Sequence, residues 1–160
     1  MPGGSRDRDP AGRPRNARPR DALGRPLPHG ATAAQGAVPP VPDDLALSPV
    51  DSLAEAQRLL DAGRAFAAHE VLEAAWKAAP DAERDLWQGL AQAAVGVTHL
   101  QRGNVAGART LFARAAARLA PYAGTAPYDI DAAGVAHYAT QLAELSEPTA
   151  PPPLRLRLRR

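Results

Sequence analysis

The stretch that decides the fold reads Arg64-Ala-Phe-Ala-Ala-His-Glu-Val-Leu-Glu-Ala-Ala-Trp76. Its apolar residues recur with helical spacing, which predicts an amphipathic helix. At about 100° per residue, Leu72 and Phe66 lie roughly 60° to either side of His69, and Glu73 and Trp76 fall between them. The His69 and Glu73 pair is therefore predicted at the centre of the hydrophobic stripe. A carboxylate there needs a partner, and His69, one turn away, is the simplest one.

Four further helices can be read on either side of this one from their end signals. Ser48 is a suitable N-cap for a first helix, which Gly63 closes. Gly103 and Asn104 separate a long third helix from a fourth, and Asp129 is the predicted cap of a fifth. Short connections make consecutive helices antiparallel, so we predict an all-α fold: a small antiparallel helical bundle of helical-hairpin-repeat character with disordered tails. The predicted ranges of the five helices are 48–62, 64–78, 81–102, 104–120 and 130–145.

An internal repeat with an offset of 40 residues supports the helical-hairpin interpretation. Each copy consists of a helix, a glycine turn and a second helix. His69 corresponds to Arg109 and Glu73 to Ala113, so the His/Glu pair occurs in one copy only. The positions that match are Leu60 with Leu100, Gly63 with Gly103, Ala68 with Ala108, Val71 with Leu111, Leu72 with Phe112, and Ala75 with Ala115.

Charge and composition divide the chain into a helical domain and two tails. Residues 48–147 hold eight Lys/Arg against twelve Asp/Glu, so the domain is acidic although the whole chain carries a net charge of +2. Residues 1–47 are rich in arginine, proline and glycine and predict a largely disordered N-terminal arm. Residues 148–160 are proline-rich and then basic. Their Leu/Arg alternation would give a two-faced strand if it were paired, but it is more typical of a frayed tail.

The arm contains a short echo, because Asp-Pro-Ala-Gly-Arg-Pro at residues 9–14 recurs as Asp-Ala-Leu-Gly-Arg-Pro at residues 21–26. We interpret it as low-complexity linker; the alternative is an arm that docks on a partner or on the domain itself. Cysteine is absent, which excludes a thiolate metal site. No apolar run is long enough to span a bilayer or to serve as a signal peptide. These features predict a cytoplasmic protein without a membrane segment.

A polar stripe on the third predicted helix is the natural counterpart of the His/Glu pair. Gln88, Gln92, Val95 and His99 lie within about 60° of one another on a helix that is otherwise apolar or small nearly all round. A polar stripe on a central helix needs polar neighbours, so we predict a single cluster. Its members are His69, Glu73, Gln88, Gln92 and His99, with Trp76 and Trp87 as a roof.

Several of these residues together carry a family resemblance. They are His69, Glu73 and Trp76, then the run 87–95, His99, Gly103, Asn104, Gly107 and Ala108. They resemble the signature of a bacterial and archaeal family, the domain of unknown function numbered 309, which is described by a His-x-x-x-Glu-x-x-Trp/Tyr motif. The resemblance covers residues 50–120, and the arginine-rich residues 9–30 are similar to the N-terminal part of actinobacterial members. It implies a small helical bundle and suggests metal binding.

Two functions stay open at this point. In the first, the chain is a helical-hairpin interaction module whose His-Glu-Trp face is structural or docks a partner, either another protein or a second copy of the chain. In the second, it binds a divalent metal or a small ligand, with hydrolytic chemistry at His69, Glu73 and His99. A His and a Glu four residues apart present nitrogen and oxygen ligands on one face, and His99 would supply a third. The spacing differs from that of zinc proteases, because Glu73 replaces their second histidine.

Other functional signals are weak or missing from the sequence. Nucleic-acid binding through the arginine-rich tails rests on composition alone. The sequence has no glycine-rich phosphate loop, nucleophile elbow or dinucleotide fingerprint. Whether the protein is an enzyme is therefore left open by its sequence.

Overall fold

The computed structural model of the protein describes residues 19–28, 30–38, 41 and 46–158. Residues 1–18 of the predicted arm lie outside them. The described part is all-helical, with isolated backbone bridges and no extended strand, which confirms the predicted antiparallel bundle of five helices. No helix among these residues combines the length and the apolar character that a bilayer crossing requires. The helices are α1 (Pro49–Asp61), α2 (Ala65–Ala78), α3 (Asp81–Gln101), α4 (Val105–Leu119) and α5 (Ala132–Leu142).

The helix ends follow most of the predicted signals. The Ser48 hydroxyl accepts a hydrogen bond of 3.1 Å from the Asp51 amide and caps α1. Asn104 caps α4 in the same way, accepting from the Gly107 amide at 3.0 Å. Gly63 has φ +76°, a left-handed conformation that glycine adopts without a Cβ penalty, and it reverses the chain between α1 and α2.

The predicted start of the fifth helix is wrong. Asp131, and not Asp129, caps α5, because its carboxylate accepts a hydrogen bond of 2.9 Å from the Gly134 amide. Pro127–Asp129 form a short 3-10 turn in which Tyr128 has φ +61° and Asp129 φ +58°. This turn occupies the residues that would have formed the first helical turn, so α5 begins at Ala132.

Close packing around α3 builds the core. This helix lies between α2 and α4 and makes its most extensive contacts with them. Small residues allow the close approach, since a Cβ built on Gly96 would lie 2.7 Å from the Phe112 ring. Phe112 is fully buried, and so is Leu119, which faces Gly89 in the same interface. The alanine-rich sequence therefore produces a bundle with closely spaced helices.

The expectation of a frayed C-terminal tail is wrong for residues 154–158. Leu154 and Leu156 are buried, and the Gln57 side-chain amide of α1 donates to the Leu154 carbonyl and accepts from the Leu156 amide, both at 2.9 Å. The Leu156 carbonyl accepts from the Asp131 amide at 2.9 Å. The Leu/Arg alternation turns both leucines toward the core, which is the paired arrangement that the alternation allowed.

Candidate functional site

His69 and Glu73 form a hydrogen-bonded pair on α2. The Nε2 atom of His69 lies 3.2 Å from a Glu73 carboxylate oxygen, and the Lys77 ammonium lies 3.6 Å from the other oxygen. The His69 Nδ1 atom lies 3.3 Å from the Phe66 carbonyl, one turn earlier. The side chains are 20% and 39% exposed, so the pair is half-buried and accessible to solvent.

The prediction that this pair is centred on the buried stripe of α2 is wrong. The buried residues of α2 are Ala65, Ala67, Ala68, Val71 and Leu72. At about 100° per residue, the centre of that arc lies roughly 100° away from His69. Most of these buried residues are alanines, because α2 packs closely on both α1 and α3. Alanine is only a weak hydrophobic signal in the sequence. His69 and Glu73 consequently lie at the rim of the bundle.

The electrostatics of the pair centre on Glu73. The hydrogen bond from His69 lowers the pKa of this carboxyl below its ordinary value, partial burial opposes the shift, and Lys77 adds to it. Glu73 is therefore held as a carboxylate with two cationic or hydrogen-bonding partners. Its partners are all on its own helix, which is the pattern of a surface helix pair.

The two tryptophans have different environments. Trp76 is half-buried against the core, and the Arg84 guanidinium lies 5.4 Å from its ring centroid in a cation–π contact. Trp87 is fully buried, and its indole N–H donates to Glu83 at 3.2 Å. The centroid of the Trp87 ring lies 6.2 Å from that of the Tyr128 ring. Tyr128 belongs to the connection between α4 and α5. Trp76 thus lies on the same side of α2 as His69 and Glu73, and we call these three residues the His69 edge. Trp87, by contrast, is a core residue.

The polar stripe of α3 runs beside α2. The antiparallel register is fixed at one end by the hydrogen bond of 2.9 Å from Gln101 to the Gly63 carbonyl and at the other by Arg84 on Trp76. This register places Gln92 level with His69 and Gln88 level with Glu73. Both glutamines are half-buried, and the side-chain oxygen of Gln92 is buried without a hydrogen-bond donor.

His99 lies at the far end of that stripe. Its Nδ1 atom is 3.1 Å from the Asn104 side-chain nitrogen, next to the start of α4. Partial burial lowers the pKa of the His99 imidazole, and the nearby Arg102 charge lowers it further. The register puts His99 level with the start of α2, more than one helical turn beyond His69. The predicted cluster is therefore spread along the hairpin.

The residues present do not fit the metal site that the resemblance suggests. Among the described residues, no three His, Asp or Glu side chains lie close enough to hold one metal ion. His69 and Glu73 supply two ligands, and His99 does not join them. Protein zinc sites take three or four protein ligands, so this pair by itself is an incomplete set.

The N-terminal arm contacts the domain at the start of the site, which is the docked arrangement that the sequence favoured less than a linker. The Arg20 guanidinium of the N-terminal arm lies 4.8 Å from the centroid of the Phe66 ring, and the Arg102 side chain donates to the Leu23 carbonyl at 3.0 Å. A Cβ on Gly24 would lie 2.3 Å from the Phe66 ring, so the arm backbone rests directly on it. The His69 ring is 5.3 Å from that of Phe66.

We call this surface, formed by Phe66 with Arg102 and His69 beside it, the Phe66 face. The helical wheel places Phe66 on the hydrophobic stripe of α2. In the structure it is half-buried and covered by the arm. The echo of residues 9–14 in residues 21–26 was the signal in the sequence that pointed to the arm. Among the described residues, the contacts of the arm with Phe66 and Arg102 come from Arg20, Leu23 and Gly24, within or next to the second copy.

These observations define a class of protein: a small all-α domain of antiparallel helical hairpins, with a polar rim on its second helix and an arm segment docked beside it. The sequence profile of the family described as Domain of unknown function (DUF309) matches residues 53–111, which supports membership of that family. The match runs from α1 into α4 and includes the whole His69 edge. Comparison with curated proteins and with solved structures gives no match.

Proposed function

We propose that the protein is a cytoplasmic interaction module in which the Phe66 face holds an arginine-bearing peptide segment that is folded into a tight turn. The observation that carries this proposal is the arm itself, because a turn of that chemistry lies on Phe66. The His69 and Glu73 pair then has a structural role, which is to keep the face in the shape that receives the segment.

The chemistry of the Phe66 face suits such a ligand. An aromatic ring attracts a guanidinium through its negative face, and Arg20 occupies that position. Arg102 donates to a backbone carbonyl of the turn, a contact that any residue at that position can provide. The helical domain, with eight Lys/Arg against twelve Asp/Glu, also attracts a basic segment over a longer range.

The role of the pair follows from its neighbours. His69 packs its ring beside that of Phe66 and approaches the Phe66 carbonyl, while Glu73 engages its other nitrogen. Glu73 therefore fixes the orientation of the imidazole, and the imidazole limits where the Phe66 ring can turn. Removal of His69 would loosen the face without opening the core.

Hydrogen exchange of the full-length chain, measured by mass spectrometry, tests this function. We expect Phe66→Leu and His69→Ala to speed amide exchange in residues 19–27, because the arm loses its aromatic platform or the support of that platform. Arg118→Gln is the matched control, since it removes an ion pair with Asp85 elsewhere on the domain. Arm exchange that is the same in wild type and in both face variants would refute the proposal.

Elemental analysis of untagged protein separates this function from metal binding. We expect no stoichiometric metal in the wild type and no change in His69→Ala or Glu73→Gln. Stoichiometric metal that disappears in both variants while the helical content is kept would favour a metal protein and overturn the interaction module.

A further inference from the structure

The docked arm segment is held in a tight turn by its own backbone and one carboxylate. The Gly24 amide donates to the Asp21 carbonyl at 3.0 Å, and the Asp21 carboxylate accepts from the amides of Leu23 and Arg25 at 3.0 and 2.9 Å. The Arg20 side chain donates to the Gly24 carbonyl and ties the two ends of the turn together. Gly24 has φ +78°, which disfavours any other residue at this position.

Few residues of the segment contact the Phe66 face or form the turn through their side chains. Arg20 supplies the cation on the Phe66 ring, Asp21 forms the turn, and Gly24 leaves room for the ring. Leu23 contributes its carbonyl to Arg102, and the hydrogen bonds of the turn do not use the amide of Ala22. The segment that the face recognises therefore has the form Arg-Asp-x-x-Gly, followed here by Arg-Pro.

The chain contains this pattern a second time. Residues 8–14 read Arg-Asp-Pro-Ala-Gly-Arg-Pro, against Arg-Asp-Ala-Leu-Gly-Arg-Pro at residues 20–26. The two copies differ only at the two positions whose side chains the turn does not use. Pro10 corresponds to Ala22, the second position of the turn, where proline is favoured because its fixed φ matches and no amide is needed.

We propose that the Phe66 face is a binding site for Arg-Asp-x-x-Gly-Arg-Pro segments, and that residues 8–14 are a second ligand for it, in competition with residues 20–26. The inference rests on the proposed function and adds the recognised sequence and a second occupant. A longer connection to α1 is no obstacle, because the entropy of loop closure grows slowly with length. Exchange between the copies would leave one of them free to meet the same face on another protein chain.

Fluorescence anisotropy with a labelled peptide of residues 6–16 tests the proposal on full-length protein. The receptors are the wild type, Gly24→Val and the double variant Gly12→Val/Gly24→Val. At residue 24, valine disfavours the positive φ and would clash with Phe66, so Gly24→Val removes the docked ligand. Gly12→Val is the corresponding change in the proposed second ligand. Both positions precede α1, and circular dichroism should show unchanged helical content.

Binding should rise as the internal ligands are removed. A tethered segment acts at an effective concentration on the order of millimolar, so the wild type should bind the added peptide more weakly than the double variant, by about tenfold for a Kd of about 0.1 mM in the double variant. Gly24→Val should fall between them, because residues 8–14 of the same chain then take the site. The Gly12→Val peptide is the matched control and should not bind, and Phe66→Leu in the double variant should abolish binding.

Several outcomes would overturn this inference. They are equal binding to all three receptors, binding that survives Phe66→Leu, and no binding to the double variant at millimolar peptide. Arg8→Gln/Arg20→Gln provides a second receptor with an unaltered backbone and should behave like the glycine double variant. A failure here leaves the hydrogen-exchange test of the docked arm unaffected, so loss of the second ligand and loss of the proposed function can be told apart.

Discussion

Replacement of Glu73 by glutamine is the most informative single change at the His69 edge, because it keeps the shape of the side chain and removes its charge. Glu73 is 39% exposed and its partners lie on its own helix. Pairs of this kind stabilise a helix by about 0.3–0.5 kcal/mol. For a domain of this size we expect Glu73→Gln to lower Tm by about 1–4 °C. A buried charge pair would instead lose about 3–5 kcal/mol when one partner is removed.

The difference in Tm between wild type and Glu73→Gln should depend on pH, because the pKa of Glu73 is lowered in the folded protein. The hydrogen bond from His69 is the largest cause, burial opposes it, and Lys77 adds to it. A carboxyl with a depressed pKa in the folded state contributes stability above its ordinary value of 4.5, and the contribution is lost as the pH falls through the folded value. The difference in Tm between wild type and Glu73→Gln should therefore be present at neutral pH and vanish in acid.

Thermal unfolding followed by circular dichroism is the assay, with Glu55→Gln as the control. Glu55 pairs with Arg58 on the exposed side of α1, and that hydrogen bond is the main cause of its lowered pKa. The two variants should lose similar, small amounts of stability. A loss of about 3 kcal/mol or more in Glu73→Gln alone would refute the rim position of the pair and restore the buried, sequence-based interpretation.

Three further substitutions and one control test the fold by urea denaturation. Leu156→Ala should cost about 2–5 kcal/mol because Leu156 is fully buried, whereas Leu158→Ala, at an exposed position, should change stability by less than about 0.5 kcal/mol. If neither substitution changes the free energy of unfolding, the C-terminal segment is not packed on the core. Gly96→Ala should lose about 1 kcal/mol net, since crowding against the aromatic ring outweighs the gain in helix propensity; a stabilised variant would contradict this close helix approach. Asn104→Ala should cost about 1 kcal/mol through loss of the α4 cap, and an unchanged midpoint would speak against that cap.

Local chemistry made the helices predictable. Ser48 and Asn104 act as caps because their side-chain oxygens satisfy amides three residues ahead, and this requires no knowledge of the tertiary structure. The turn at Gly63 can be predicted in the same way, because glycine readily adopts the positive φ that ends a helix. Asp129 and Asp131 are both suitable caps for α5 by residue type, and only the 3-10 turn before the helix distinguishes them.

The pairing of His69 with Glu73 could be predicted from the sequence, but the depth of the pair and its distance from His99 could not. His69 and Glu73 pair as expected, since residues four apart on a helix are neighbours. Their depth depends on which arc of α2 meets α1 and α3, and the alanines that decide this carry little hydrophobic signal. His99 is on the predicted stripe of α3, but the stripe is long enough to place it beside Asn104 and away from His69.

The sequence by itself determined the five helices, their antiparallel order and the pairing of His69 with Glu73, because these follow from periodicity, end signals and spacing along one helix. Tertiary structure alone decided that Leu154 and Leu156 join the core and that Phe66 lies under the arm. These contacts join residues far apart in the chain, and their strength comes from surfaces that exist only once the helices have packed.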